Sequence, residues 1–342
     1  MTTQNENTYL LAGDIGGTKT SLALYESAGG PGAPLAEETI RNDSVSGLEE
    51  IIAAFLQNTG ISPQYGCFGV AGPVINNQVR LTNRDWFLDG DKLKKQFNLQ
   101  SVSLINDLVA TAMGAVYLPD NALHTLNNGQ PDPQGAVAVL APGTGLGEAF
   151  LIRAGDRLMP CPSEGGHSSF APVNDRQARL LSFMLQKVEH VSTEMVCSGL
   201  GIPNLYDFLK TEIDETPELA ARISREDDPA KIISEAALDA LDKDKPEQNL
   251  PLQTMRLFVD ILASEAANLV LKVLATGGLY IGGGIPPRIL PFLQTEHFMK
   301  SFSQGGYRDM FSMIPVHIIL EPKTALIGAA AYCISMLNQS DK

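Results

Sequence analysis

Apolar and polar residues alternate along several short stretches of the chain, a period that predicts β-strands. The first two such stretches are Tyr9–Ala12 and Ser21–Tyr25. Between Leu48 and Leu56 the apolar residues recur every three or four positions instead, which predicts an amphipathic helix. A long apolar helix is predicted at Leu250–Leu274, and a closing helix at Thr324–Leu337. Further predicted strands are Cys67–Ala71, Ser101–Ile105, Ala136–Leu140, Glu148–Ile152, Leu279–Ile281 and Val316–Leu320.

The order of these elements, with strands and helices alternating, predicts a layered α/β architecture. The second half repeats the strand, glycine turn and strand with which the first half begins, so the halves share an arrangement rather than a sequence. A chain of 342 residues suits two domains better than one. The turn-rich segment Pro119–Pro133 is the predicted crossing between the two domains, and a further helix is predicted at Pro287–Gln294.

The composition of the chain argues against several kinds of binding partner. The formal net charge is −14 and the isoelectric point about 4.8, and so acidic a surface repels nucleic acid. The four cysteines lie far apart without a C-x-x-C pair, which argues against a zinc site or a disulfide framework. No signal-peptide pattern begins the chain, and no apolar run reaches the length of about eighteen residues that a membrane span requires. We therefore expect a cytoplasmic protein that binds neither nucleic acid nor membrane.

A glycine-rich turn follows the first predicted strand. In the run from Asp14 to Thr18, Gly16 and Gly17 would let backbone N–H groups approach phosphate oxygens, and the Thr18 hydroxyl would donate to the same anion. Asp14 beside a polyphosphate indicates an intervening Mg²⁺, bound through water. The spacing fits neither a Walker A motif nor a dinucleotide fingerprint. Taken alone, the turn is explained equally well by an ordinary glycine hairpin.

Two more glycine-rich loops follow predicted strands in the second half of the chain. Ala141–Gly147 joins the paired strands of the second half, and Gly282–Gly284 follows another predicted strand. Three such loops, two of them in equivalent hairpins, predict a nucleotide bound in a cleft with a phosphate loop from each half.

Five runs along the chain are distinctive: Gly13–Thr20, Leu104–Asp107, Ala141–Gly147, Ser163–His167 and Gly278–Gly284. In this order they resemble the motifs of the bacterial-type glucokinase family, and the resemblance extends from about Leu10 to the closing helix. The family belongs to the superfamily of hexokinase, actin and Hsp70. The resemblance implies an α/β, two-domain actin-like (ribonuclease H-like) ATPase fold with an interdomain cleft. The small domain would be 1–118, completed by the C-terminal helix at about 322–342, and the large domain 119–321.

Asp107 is the predicted catalytic base. Phosphoryl transfer requires a group that accepts the proton of the acceptor hydroxyl, and Asp107 lies where a predicted strand gives way to a helix. The alternative from the residues alone is that Asp107 or Asn106 only caps this helix. The resemblance implies that Asp107 activates the sugar 6-hydroxyl and that Asn106 binds a neighbouring hydroxyl.

A second cluster of polar residues is suited to sugar hydroxyls. Gly165 and Gly166 would let the chain turn tightly, so that Glu164 and His167 face one ligand. The resemblance implies that both residues bind the sugar near its anomeric end, and it adds Glu194, which precedes a Ser-Gly-x-Gly segment. Met195 departs from the arginine that family members often have there.

The resemblance also marks the segment Thr82–Trp86, in which Trp86 is expected to pack and Asn83 to reach the cleft. ATP, Mg²⁺ and glucose are the expected ligands, with Asp14 binding the metal through water. The predicted substrate-binding residues are Asn83, Asn106, Asp107, Gly145, Glu164, His167 and Glu194. The predicted ATP-binding residues are Gly13, Asp14, Gly16, Gly17, Thr18, Lys19, Thr144, Gly145, Gly283 and Gly284.

The function that follows is a glucokinase, which uses ATP to convert glucose to glucose 6-phosphate at the entry to glycolysis. One alternative is a kinase for another hexose. The related repressor and kinase family usually carries a cysteine-rich zinc motif, whereas Cys161 and Cys197 are isolated in this chain. The other alternative is a non-catalytic sugar-binding regulator, against which the presence of Asp14 and Asp107 argues. A homodimer is an expectation that rests on the resemblance alone.

Overall fold

The computed structural model describes residues 7–81, 84–155, 157–241, 246–303 and 305–340. Its strands, in chain order, are β1 (Tyr9–Ile15), β2 (Lys19–Glu26), β3 (Ala36–Arg41), β4 (Tyr65–Val70), β5 (Gln78–Arg80), β6 (Phe87–Asp89), β7 (Ser101–Asn106), β8 (Leu123–Asn127), β9 (Val137–Pro142), β10 (Leu146–Ala154), β11 (Arg157–Ser163), β12 (Gly278–Ile281) and β13 (Val316–Ile319).

Its α-helices, in chain order, are α1 (Leu48–Thr59), α2 (Gly90–Gln96), α3 (Asp107–Ala115), α4 (Asp175–Met184), α5 (Gly201–Leu209), α6 (Pro217–Ile223), α7 (Pro229–Leu238), α8 (Leu250–Val273), α9 (Leu290–Leu293), α10 (Glu296–Phe302), α11 (Arg308–Met313) and α12 (Thr324–Ser340). None of the helices in the described ranges combines the length and apolarity that crossing a bilayer requires.

The chain divides into two compact units. The first comprises Met1–Leu123, Ala149–Pro162 and Glu321–Lys342, and the second comprises His124–Glu148 and Ser163–Leu320.

The five-stranded sheet has the order β3-β2-β1-β4-β7. β1 and β2 form an antiparallel hairpin, whereas β4 runs parallel to both β1 and β7. Ile15 pairs with Val70, and Val70 with Asn106, so these three parallel strands end at the same edge. Residues at the carboxyl ends of β1 and β7 are therefore separated only by the end of β4.

The two faces of this sheet have separate cores because side chains alternate along each strand. On β1, Leu11 and Ile15 pack with residues of α1 and α2, whereas Leu10 and Ala12 pack with residues of α3 and α12. The closing helix is thus bound to the first unit, although it lies more than two hundred residues after β1.

The six-stranded sheet has the order β11-β10-β9-β12-β13-β8, in which β12 runs parallel to β9 and β13. Its core is the largest in the molecule's described part and is built around α8, which is buried along most of its length. The apolar pattern at Leu250–Leu274 predicted this helix correctly.

Several elements differ from the sequence prediction. The segment Pro119–Pro133, predicted as a turn-rich crossing, contains β8, which pairs at the edge of the six-stranded sheet. The helix predicted at Pro287–Gln294 is only the single turn α9. The strands β3 and β11 were not predicted, because their residues are polar or half-exposed and give a weak alternation.

Two glycines allow α3 and α12 to cross in close contact. A β-carbon on Gly328 would overlap the carbonyl oxygen of Ala110, and one on Gly114 would overlap the carbonyl oxygen of Thr324. The obstacles are helix backbone, which cannot move aside as the end of a flexible side chain can.

We expect Gly328→Ala to lower the melting temperature, although alanine favours helices. Overpacking of this kind costs about 1–3 kcal/mol, and each kcal/mol corresponds to about 2–4 °C in a protein of this size class. Thermal unfolding followed by circular dichroism measures the effect. The control is Gly32→Ala, where a β-carbon meets nothing within 4 Å. An equal melting temperature for the two variants would contradict the prediction.

Candidate active site

The first glycine turn joins β1 to β2. Gly16 N–H donates to the carbonyl of Lys19 at 3.0 Å, which closes the turn. Gly13 lies against Phe68 so closely that a β-carbon would overlap the ring, which explains a glycine within the strand. Thr18 and Lys19 are exposed at the tip of the turn, where a ligand can reach them.

Two carboxylates lie at the shared edge of β1, β4 and β7. Asp14 pairs across the ladder with Gly69, and a β-carbon on Gly69 would lie 4.0 Å from the Cα atom of Asp107. Burial, followed by the charge of Asp107, raises the pKa of Asp14 to about 6, while Lys19 acts in the opposite direction. Burial and Asp107 thus favour the protonated form of Asp14, and a nearby cation would favour the carboxylate.

Asn106 and Asp107 mark the start of α3. Asn106 is the capping residue, because its side-chain oxygen accepts from Leu108 N–H at 2.9 Å and from Val109 N–H at 3.3 Å. The Asp107 carboxylate also accepts from Leu108 N–H at 2.9 Å. Asn106 therefore caps the helix, and its predicted contact with the sugar stays a prediction. Asp107, which is half-buried, is held at the edge of the sheet by the same helix start.

The second unit brings Glu164, His167 and Glu194 together. The His167 ring lies 3.9 Å from a carboxylate oxygen of Glu164 through Nε2, and 3.9 Å from one of Glu194 through Nδ1. Glu164 and His167 are exposed, whereas Glu194 is half-buried. Backbone contacts fix the cluster, since Glu194 N–H donates to the carbonyl of Gly166 at 2.8 Å. The result is one patch of carboxylates and imidazole suited to neighbouring hydroxyl groups.

The second glycine turn is bound to this cluster. Leu146 N–H donates to the Glu194 carboxylate at 2.8 Å, and a β-carbon on Gly145 would overlap the same carboxylate. Glycine is thus required at position 145 so that Glu194 can approach the turn. Thr144 is exposed at its tip.

The third glycine loop lies beside the second. Gly283 has a φ of +84°, and a β-carbon there would overlap the carbonyl of Pro142. Ile285 N–H donates to that same carbonyl at 3.4 Å. The β-carbon position of Gly284 is open, so the backbone of this loop is accessible from one side.

A buried acidic pair lies beside the turn that carries Glu164 and His167. Glu148 is 2% exposed and Glu265 is 4% exposed, and a β-carbon on Gly165 would overlap the Glu148 carboxylate. Within the described residues, Oε1 of Glu148 has no hydrogen-bond partner. Glu265 lies 3.4 Å from Lys272 Nζ. Burial, then the charge of Glu265, raises the pKa of Glu148 to about 7, and Lys272 acts against the shift.

The predicted site residues fall into two groups, and each group lies within one of the two units. The first unit holds Gly13, Asp14, Gly16, Gly17, Thr18, Lys19, Asn106 and Asp107, and the second holds Thr144, Gly145, Glu164, His167, Glu194, Gly283 and Gly284. Asn83 lies outside the described residues. The sequence prediction did not include Asn42 and Arg84, which contact the first glycine turn, or the pair Glu148 and Glu265.

Comparison with known proteins identifies the family. The family model described as glucokinase matches residues 11–336. The chain belongs to the glucokinase family.

Individual relatives agree with this family over nearly the whole chain. A glucokinase of Nostoc punctiforme is 40% identical over 341 residues, which cover 94% of this chain and 98% of the relative. The crystal structure of a glucokinase from an Antarctic psychrotroph is 33% identical, with a TM-score of 0.83, and the match covers 96% of this chain and 99% of that one. The α/β, actin-like fold predicted from the sequence is confirmed.

A more distant structure shares the fold. A ROK-family glucokinase from Streptomyces griseus, solved in complex with glucose and AMPPNP, is 22% identical with a TM-score of 0.61, and the match covers 96% of this chain and 99% of that one.

We expect Glu148→Gln to change how stability depends on pH. Because the folded-state pKa of Glu148 is raised from 4.5 to about 7, the neutral carboxyl stabilises the fold at low pH. That contribution is fully present below about pH 4.5 and is lost progressively as the pH rises to about 7. Glutamine cannot ionise, so the variant should differ least from the wild type at the acidic end of the range and be more stable by about 1–2 kcal/mol near pH 8.

Melting temperatures between pH 5 and pH 8.5 measure this difference. The control is Glu235→Gln on α7, where the carboxylate is exposed. If the melting curves of Glu148→Gln and the wild type stay parallel across this range, Glu148 does not titrate as described. Ionisable groups facing Glu148 are Glu265, Lys272 and the buried thiol of Cys197.

Proposed function

We propose that this chain transfers the γ-phosphoryl group of ATP to the 6-hydroxyl of glucose, with Asp107 as the general base. The observation that carries the proposal is the match of the glucokinase family over residues 11–336. The reaction is the phosphorylation of glucose, and we place it at the entry to glycolysis, in the cytoplasm.

The role of Asp107 is supported by its position. Phosphoryl transfer needs in-line positioning, neutralisation of charge and a group that takes the proton of the acceptor hydroxyl. Asp107 is held at the edge of the sheet, beside Asp14 and the first glycine turn, by the start of α3. A carboxylate there can accept the 6-hydroxyl proton while the turn N–H groups bind phosphate oxygens.

The binding of sugar hydroxyls is assigned to Glu164, His167 and Glu194, with Asn106 and Asn83 as further contacts. Support comes from the spacing of the first three, in which the imidazole lies 3.9 Å from each carboxylate. Carboxylates accept and imidazole accepts or donates, so this cluster can distinguish the orientation of adjacent hydroxyl groups.

ATP binding is assigned to the glycine loops, with Thr18, Lys19 and Thr144 as side-chain contacts. The exposure of these three side chains at the tips of their turns supports the assignment. So does the shared fold with the Streptomyces griseus enzyme, which was solved with glucose and the ATP analogue AMPPNP.

The residues around Asp14 fit a Mg²⁺ ion. A half-buried carboxylate whose ionisation is disfavoured by burial and by Asp107 favours a compensating cation. Asp14 would hold the ion through water, with the remaining ligands supplied by water and ATP phosphates. When bound, the ion neutralises charge on the β- and γ-phosphates.

Two further assignments rest on the sequence and the resemblance. We keep the domain boundaries 1–118 with about 322–342, and 119–321, as a proposal. We also propose a homodimer, which sedimentation of the purified chain would test.

A panel of hexoses tests the function. The protein is incubated with ATP, Mg²⁺ and glucose, mannose, fructose or N-acetylglucosamine in turn, and ADP release is recorded. Glucose should give the highest kcat/KM. A higher value for another hexose would favour the alternative kinase, and the absence of ADP release with every sugar would favour the non-catalytic regulator.

Replacing Asp107 tests the base. Asp107→Ala should lower turnover about 10³-fold, because general-base catalysis contributes about 10²–10⁴-fold, while glucose affinity measured by calorimetry changes little. Asp91→Ala, an exposed aspartate in the first turn of α2, is the matched control and should retain turnover. Near-normal turnover of Asp107→Ala would remove Asp107 as the base.

A further inference from the structure

We infer that Arg84 and Asn42 are positioning residues for the phosphate-binding turn, because together they hold the carbonyl groups of Gly16, Gly17 and Thr18. The consequence for catalysis rests on the proposed function, but the consequence for nucleotide binding does not require turnover.

Three consecutive carbonyls of the turn each accept a hydrogen bond from this pair. Asn42 Nδ2 donates to the carbonyl of Gly16 at 2.8 Å. Arg84 Nε donates to the carbonyl of Gly17 at 2.7 Å. The backbone N–H of Asn42 donates to the carbonyl of Thr18 at 2.9 Å. All three acceptors therefore point toward the side of the turn that Asn42 and Arg84 occupy.

Because each peptide group is planar, fixing its carbonyl also fixes the direction of its N–H group. The described peptide bonds are all trans, and in a trans peptide the N–H points away from the carbonyl of the same plane. Fixing the carbonyls of Gly16, Gly17 and Thr18 on one side therefore aims the N–H groups of Gly17, Thr18 and Lys19 toward the other. Successive N–H groups aimed alike form an anion-binding concavity. Without the hydrogen bonds from Asn42 and Arg84, the flexible glycines would let these peptides rotate.

Further contacts hold the side chains of Asn42 and Arg84 in place. Asn42 is fully buried, and its side-chain oxygen accepts from the Thr20 hydroxyl at 2.8 Å. Arg84 Nη1 donates to the carbonyl of Asn42 at 2.8 Å. One guanidinium therefore links the segment that contains Asn42 to the turn at Gly17. The Arg84 guanidinium also lies over the Trp86 ring, with 5.4 Å to its centroid. This contact explains why the tryptophan lies beside the turn.

The guanidinium is suited to this task in a way that lysine is not. Its planar fork donates to two carbonyls from fixed directions, whereas an ammonium group is a single point on a flexible stem. Arg84→Lys keeps the positive charge and loses the fork. The lysine variant thus separates positioning from simple attraction between a cation and phosphate.

The test measures binding of AMPPNP with Mg²⁺, and separately of glucose, by calorimetry. Arg84→Gln should weaken AMPPNP binding by about tenfold or more, as expected for loss of hydrogen bonds from a charged donor, and leave glucose affinity within about twofold. Arg84→Lys should lie close to Arg84→Gln. Thr20→Val, which removes only the hydroxyl that orients Asn42, should weaken AMPPNP binding by about threefold.

Arg80→Gln is the matched control. Arg80 ends strand β5, pairs with Asp85 at 2.6 Å and lies over the Phe87 ring, so its known contacts are with residues other than those of the turn. Its loss should leave AMPPNP affinity within about twofold of the wild type. Ethylguanidinium added to Arg84→Ala should restore part of the AMPPNP affinity and should not affect the Arg80 variant.

Unchanged AMPPNP affinity in folded Arg84→Gln overturns the inference, as does full affinity in Arg84→Lys, which would reduce the role of Arg84 to its charge. If Arg84→Gln does not fold, the lysine and valine variants decide by the same measurements. A wild type that binds AMPPNP but phosphorylates no hexose would refute the proposed function and leave this inference to be decided by affinity.

Discussion

The parallel pairing of β1, β4 and β7 is the constraint on which the candidate site residues of the first unit depend. Parallel strands end at a common edge, and here that edge carries Asp14 and, one residue past β7, Asp107. Gly69, between them, has no side chain to separate them. The register thus brings two carboxylates close together, and the charge of Asp107 adds to burial, the larger cause, in raising the pKa of Asp14. A compensating cation would make such an arrangement favourable.

Hydrogen bonds to consecutive carbonyls hold both hairpin turns, but the donors differ. In the first unit the carbonyls of Gly16 and Gly17 accept from the side chains of Asn42 and Arg84. In the second unit the carbonyls of Gly143 and Thr144 accept instead from the backbone N–H groups of residues 199 and 200, at 2.8 and 3.2 Å. The second turn is also bound to Glu194, whose carboxylate accepts from Leu146 N–H.

Local signals were sufficient for much of this structure. The strands around both glycine turns, the helix α8 and the position of Asp107 were predicted because each depends on residues that are near in sequence. The clustering of Glu164 with His167 follows from their spacing, whereas Glu194 came only from the resemblance, since its contacts to Gly166 and Leu146 cross up to 48 positions.

The residues that the sequence did not indicate are those whose partners are distant. Asn42 follows β3, a polar strand with weak alternation, and its contact with Gly16 spans 26 positions. Arg84 reaches back 67 positions to Gly17. The hydrophobic periodicity of a segment cannot predict such a contact, because the contact depends on how distant segments are brought together by the sheet.

The acidic residues of the two units differ in what opposes their charge. Asp14 has Lys19 as an opposing charge and lies beside an exposed turn, where a cation could approach it. Glu148 is enclosed, and among the described residues only Lys272 acts against the effect of burial and of Glu265 on its pKa. The neutral form of Glu148 is therefore favoured below a pH of about 7, and in that form the carboxyl packs against Gly165 without an unpaired charge.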